Sequence, residues 1–192
     1  MKQIINFKTL ALLFAVVLGL GVISCDNDDD VIPTPSVNVE DVNGNYSGKL
    51  TTTQGQTKNE TSTTFVAKNS VISFTALPVK EIVGSIIKDP VKAEAALKKI
   101  GNVKYDFNYS AKVNNARTAV DLTFTPKELE IQVPIDDANK KVIATFTSKQ
   151  TGSYTGKDKS ISFELSVDKI TLEGTAVTPF EAIKYSSKSE KK

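Results

Sequence analysis

Carboxylates are the candidates in this sequence for general acid and general base. Glu128 and Glu130 stand two apart in an alternating stretch, so they share one face of a strand, and Asp136-Asp137 follows in a turn. Glycoside hydrolysis needs two carboxyls about 5 to 10 Å apart across a cleft, and neighbours on one strand face meet that spacing. However, Glu128 and Glu130 alternate with Leu129 and Ile131, which places them on the wet side of a half-buried strand. Asp136-Asp137 has the composition of an ordinary turn. All four carboxylates therefore read as solvated. The 192 residues include no His and no Trp, a single Cys (Cys25) and a single Arg (Arg117). Without His, neither a Ser-His-Asp nor a Cys-His arrangement can be built, and zinc sites of the usual composition lack their ligands. Neither a Gly-x-x-x-x-Gly-Lys-Ser/Thr loop nor a strand-linked Gly-x-Gly-x-x-Gly is present. The chain is expected to be no enzyme, with no catalytic residue, no cofactor and no metal site.

The N-terminus carries an address. Lys2 and Lys8 form a short basic region, and Leu10 to Ile23 is an uncharged stretch of fourteen residues. That is the length of a signal-peptide core, short of the roughly 20 residues that span a bilayer. It ends in Val22-Ile23-Ser24-Cys25, with the lone Cys directly after a small residue. This resembles a bacterial lipobox, a resemblance that implies a diacylglyceryl thioether and N-acylation at Cys25 and hence a membrane partner. Two or three acyl chains anchor stably where one does not. Next comes Asp26-Asn27-Asp28-Asp29-Asp30, which resembles the acidic tract behind the lipidated Cys of surface-exported Bacteroidetes lipoproteins. The resemblance implies an outer-membrane, cell-surface location. Asp26, Asp28 and Asp30 also alternate as in a calcium-binding EF-hand loop. Val31 and Val37 stand where that loop needs Gly and Glu, so calcium is not expected. From Asp26 to Asp41 there are six acids, no base and two prolines, the composition of an extended tether.

Beyond Asn45 the dominant period is two. Val103, Tyr105, Phe107, Tyr109, Ala111 and Val113 fall on one face, with polar residues between them. The alternation returns at Val120-Leu122-Phe124, Leu129-Ile131-Val133, Val142-Ala144-Phe146 and Ile161-Phe163-Leu165-Val167. Shorter versions occur at Tyr46-Gly48-Leu50, Thr63-Phe65-Ala67, Ile72-Phe74 and Ile170-Leu172. Thr125-Pro126-Lys127, Asp136-Asp137-Ala138-Asn139 and Gly156-Lys157-Asp158-Lys159 read as tight connections. Such short links, with alternating rather than continuous apolar runs, predict an antiparallel meander of about nine strands.

One segment follows the helical period instead. Val79, Ile82, Val83, Ile86 and Ile87 make one apolar stripe, with Pro78 suited to its first turn. Asp89-Pro90 supplies an N-cap and first position for a second helix bearing Ala93, Ala96, Leu97 and Ile100, which Gly101 closes. The expected architecture is mainly β with two short helices inserted at about 78–101. The sheet could close as a barrel, fold into a sandwich or lie open under the helices. Gly44-Asn45-Tyr46-Ser47-Gly48 resembles the first strand of lipocalin-like barrels, which favours the barrel. A similar Gly152-Ser153-Tyr154-Thr155-Gly156 returns later, and both also read as turn punctuation. The predicted organisation is a signal peptide over 1–24, a lipidated Cys and tether over 25–41, one β domain over 42–183 and a solvated basic tail over 184–192. The layout resembles small Bacteroidetes lipoproteins grouped as domains of unknown function.

The formal charge of +2 excludes a strongly basic nucleic-acid binder. Tyr105, Phe107, Tyr109, Phe124, Phe146 and Phe163 could line a ligand cavity or fill a core, and filling is favoured. Only Tyr46, Tyr154 and Tyr185 would remain to stack on sugars. These features predict a non-catalytic, lipid-anchored binding module of unknown ligand, or alternatively a structural accessory subunit of an envelope complex.

Overall fold

A computed structural model describes residues 36–192. The signal peptide, Cys25 and the acidic tract lie outside the described residues. In chain order the strands are β1 (Gly44–Gln54), β2 (Thr57–Lys68), β3 (Val71–Phe74), β4 (Tyr105–Val113), β5 (Ala119–Thr125) and β6 (Leu129–Ile135). They continue as β7 (Ala138–Thr147), β8 (Gly152–Thr155), β9 (Ser160–Leu172), β10 (Thr175–Ala176) and β11 (Ile183–Lys191). Helices α1 (Lys80–Ile86) and α2 (Pro90–Ile100) separate β3 from β4.

Eight strands close a ring in the order β11-β1-β2-β3-β4-β5-β8-β9, with β9 returning to β11. All the pairings are antiparallel, and the result is a closed, lipocalin-like barrel. An eight-stranded barrel leaves an interior just wide enough for side chains to fill or for one small ligand. The connection through Pro126 is not a hairpin: β5 pairs with β4 and β8, while β6 pairs with β7. The β6–β7 hairpin instead lengthens the wall at β9, because β8 has four residues and occupies only Ser160–Ser162 of that strand's edge. Strand β9 is a single element of thirteen residues, where the sequence suggests two runs. A bulge at Asp168 explains this, since Phe146 pairs with Val167 while Thr145 pairs with Lys169. The extra residue switches the inward positions from Leu165 and Val167 to Ile170, and the strand bends there.

Three boundaries differ from expectation. The basic segment 184–192 is no frayed tail: as β11 it pairs with β1 and β9 and closes the barrel. Its inward Ser187 and Ser189 are small enough for the close approach of β1, where a Cβ on Gly48 would sit 2.8 Å from the Ser189 Cα. The tether ends earlier than residue 41, because a 3-10 turn over Val39–Val42 folds across one barrel end. Val42 is fully buried beneath the Tyr46 hydroxyl, which donates to its carbonyl at 2.7 Å. Val37 is buried too, and its N–H donates to the Arg117 carbonyl at 2.9 Å. The two Gly-x-Tyr-x-Gly segments are strand rather than turn punctuation, forming the start of β1 and all of β8 with Tyr46 and Tyr154 buried.

The helices close the opposite end. Asp89 caps α2 by accepting from the N–H groups of Val91 and Lys92, Pro90 takes the first position, and Gly101 ends the helix at φ 68°. In α1, which begins two residues later than Pro78 suggests, Ile82 and Val83 are fully buried. Gln54 donates to Ser85 and Asn59 to Glu81, which fastens α1 to the β1–β2 tip. Tyr185 donates to the Pro78 carbonyl at 3.0 Å and Tyr105 to that of Lys127 at 2.8 Å. Each buried hydroxyl thereby keeps a partner at the capped end, as burial in an apolar interior requires.

Candidate functional site

The barrel interior is filled with rings. Phe163 makes edge contacts with Phe65, Phe74, Phe107 and Phe124 at centroid separations of 5.7, 6.0, 6.0 and 6.2 Å. Phe65 and Phe74 lie 5.0 Å apart, and Tyr46 stacks on Phe65 at 5.2 Å. Towards the helices, Phe146 sits between Tyr105 and Tyr185 at 4.6 and 5.6 Å. These are ordinary contact distances for packed aromatic pairs. The aromatic stripe of β4 is core, and the residues that could have lined a ligand cavity occupy its space instead.

The tyrosines that might have stacked on a sugar are inside as well. Tyr46, Tyr154 and Tyr185 are all buried, as are Tyr105 and Tyr109. Burial raises the hydroxyl pKa of each of the five, most strongly for Tyr185, where the nearby Glu81 carboxylate adds to the effect. They are held neutral far above ordinary working pH.

The four candidate carboxylates do not converge. Glu130 on β6 forms a 2.7 Å ion pair with Lys141, while Glu128, one residue before that strand begins, accepts from the Thr145 hydroxyl at 3.2 Å, and both side chains are exposed. Asp136 and Asp137 form the turn between β6 and β7, with Asp136 reaching Lys92 of α2 at 3.6 Å. Glu130 borders one groove and the two aspartates another. On the remaining surface, hydrogen bonds from Lys58 and then Lys49 hold the exposed Glu60 carboxyl below its usual range.

One concave surface lies outside the barrel, beside β6 and α2. A groove of about 610 Å³ runs between Glu130, Gln132 and Pro134 on one side and Lys99, Asn102 and Lys104 on the other. A second, of about 290 Å³, continues past α2 to Ile87 and the Asp136-Asp137 turn. Strand geometry positions Glu130 and Gln132 on the wet face, and the C-terminal turn of α2 carries Lys99. Neither Lys99 nor Lys104 is ion-paired among the described residues, while Glu130 is already neutralised by Lys141. The groove is therefore polar, open and net positive. Sequence reasoning did not assemble Lys99, Lys104 and Gln132. The one pointer the sequence holds is Pro134, unread above, since proline inside a strand pattern marks an edge.

A family model described as Domain of unknown function (DUF4840) matches residues 41–172. No curated protein and no solved structure matches the chain.

Proposed function

The chain belongs to the DUF4840 family, and we propose that this member is a lipid-anchored envelope protein that acts without catalysis. It works as an accessory subunit, holding a protein partner on the outside of its barrel. The observation that carries this reading is the ring-filled interior around Phe163. A lipocalin-like barrel that captures small apolar ligands needs an internal cavity. Here that volume is occupied by five phenylalanines, so recognition belongs to the outer wall. The lack of His and the dispersal of Glu128, Glu130, Asp136 and Asp137 support a non-catalytic role. The anchor reading rests on Val22-Ile23-Ser24-Cys25 and the acidic tract behind it, whose resemblance to surface-exported lipoproteins supports an outer-membrane, outward-facing location. Val37 and the turn over Val39–Val42 lie at the barrel end opposite the helices.

Cell fractionation with labelled palmitate tests the anchor. The wild-type chain should take up label and sediment with membranes, and Cys25→Ser should lose the label and the membrane association. Cross-linking followed by detergent extraction tests the partner. A stable complex is expected, whereas a free monomer in the extract would overturn the accessory role.

A further inference from the structure

Strand β6 has one bare edge. It pairs with β7 and ends the order of the sheet. Its hairpin turns through Asp136 and Asp137 at φ 46° and 62°, a two-residue turn of type I′ closed by the pair Ile135 and Ala138. In such a hairpin the closing pair is hydrogen-bonded and every second pair after it is too. Ile135, Val133, Ile131 and Leu129 therefore direct their backbone groups at β7. Glu130, Gln132 and Pro134 direct theirs outward. Proline fits position 134 for this reason, since its missing N–H falls on the unpaired side. Lys141, opposite Gln132, confirms the alternation: its N–H turns away from β6 and donates to the Glu173 carboxylate. Among the described residues no other element bonds the N–H or C=O of Glu130 or Gln132.

That edge borders the groove of about 610 Å³ whose far side carries Lys99 and Lys104. Proteins usually blunt an exposed edge or cover it. Here α2 packs against β6, and the groove is left alongside residues 130–134.

We propose that the β6 edge is a docking site for an extended, acidic segment of a partner protein, which adds a strand beside Glu130 and Gln132 and sets its carboxylates against Lys99 and Lys104. This rests on the reading of the protein as a surface that holds a partner, and names the face and the partner's chemistry. Main-chain hydrogen bonds supply affinity in strand addition, and side chains flanking the edge supply selectivity. Charge complementarity selects an acidic occupant over a second copy of this chain. Two β6 edges paired about a two-fold axis would bring each copy's unpaired lysines to the same interface, and Pro134 would withhold a donor on both sides. A seven-residue strand also falls short of the roughly 1,200–2,000 Å² that a stable dimer buries.

The test uses the intact protein and a fluorescent peptide of alternating valine and glutamate, with a valine–lysine peptide as control. The acidic peptide should bind and the basic one should not. Lys99→Glu with Lys104→Glu should weaken binding by about tenfold, with affinity falling as salt rises. Gln132→Pro removes the central outward N–H and should abolish binding, whereas Gln132→Ala keeps it and should bind as wild type. Amide exchange at Glu130 and Gln132 should slow when the acidic peptide is present. Circular dichroism checks that each variant is folded, and the lysine reversals, both at exposed positions, keep the test decisive if Gln132→Pro is not. Equal binding of both peptides, no binding, or indifference to the lysine reversals would overturn the proposal. Self-association through the edge, detected by sedimentation, would also overturn it. A natural partner whose co-purification survives the lysine reversals would overturn this placement and leave the accessory role intact. A detergent extract with no partner would overturn that role.

Discussion

Phe163→Ala is the substitution that weighs most on the functional argument, because a packed interior is what moves recognition to the outer wall. Phe163 comes from β9, the strand that closes the ring, and its edges meet four other phenylalanines at 5.7 to 6.2 Å. Truncating a buried phenylalanine to alanine costs about 3–5 kcal/mol, combining lost transfer energy with the cavity left behind. The four neighbours belong to β2, β3, β4 and β5, four strands of a closed wall, so they cannot collapse together into the space. The cost should therefore sit near the upper end, about 4–5 kcal/mol, against a total stability of about 5–15 kcal/mol for a domain. With a urea m-value of about 2 kcal/mol/M, the midpoint should fall by about 2 M. Equilibrium urea unfolding followed by circular dichroism measures this directly. The enlarged interior should also bind xenon or benzene, as dry apolar cavities do, while the wild type should bind neither. A loss below about 1.5 kcal/mol, or tight binding of an apolar probe by the wild type, would mean that the rings already leave room. Ligand capture inside the barrel would then be the better reading.

Three further outcomes follow from the packing. Gly152→Ala should destabilise by about 1–3 kcal/mol, because a Cβ there would run into the Phe124 ring and the Ser162 carbonyl; thermal melts would show it, and an unchanged Tm would contradict the contact. Deleting 184–192 should abolish the cooperative melt, since β1 and β9 both lose a partner; a truncated chain that melts like the wild type would refute barrel closure by β11. The raised hydroxyls of Tyr46, Tyr105 and Tyr185 favour the neutral form in the fold, so the stability they contribute is complete below the unfolded value of about 10 and lost as pH rises through the folded values. Tyrosinate absorbance should thus appear together with loss of structure above about pH 10, and smooth titration of all five at about 10 in a folded protein would refute their burial.

Local order was legible in the sequence wherever it depends on neighbours along the chain. Alternation of Tyr105, Phe107 and Tyr109 with polar residues specified a strand with one buried face. Asp89-Pro90 and Gly101 marked the ends of α2 through capping chemistry that involves only adjacent groups. The scatter of Glu128, Glu130, Asp136 and Asp137 was legible too, since the alternation set the glutamates on the wet face and the paired aspartates had the composition of a turn.

The three-dimensional partners of each strand were a different matter. Whether β5 turns into a hairpin with β6 or hands its edge to β8 depends on which edge is free when the barrel closes, and Pro126 is compatible with both. The bulge at Asp168 shifts the inward parity of β9, and a two-residue pattern broken by one residue looks like two strands until β7 and β11 are placed on either side. Strand β11 looked like a solvated tail because of Lys184, Lys188, Lys191 and Lys192, and among these lysines stand the inward Ser187 and Ser189. The two serines are core residues only because β1 presents Gly48 beside them, and no local rule links positions so far apart in the chain. The groove has the same origin. Lys99, Lys104 and Gln132 come from a helix end, a connection and a strand edge, and only the packing of α2 against β6 sets them facing one space. Sequence by itself determined which segments could be strands and helices and which chemistry the chain lacks, because those depend on residue type and on neighbours along the chain. Tertiary structure decided ring closure, the solidity of the core and the place of the open edge, because each depends on pairings between segments that the chain brings together only when it folds.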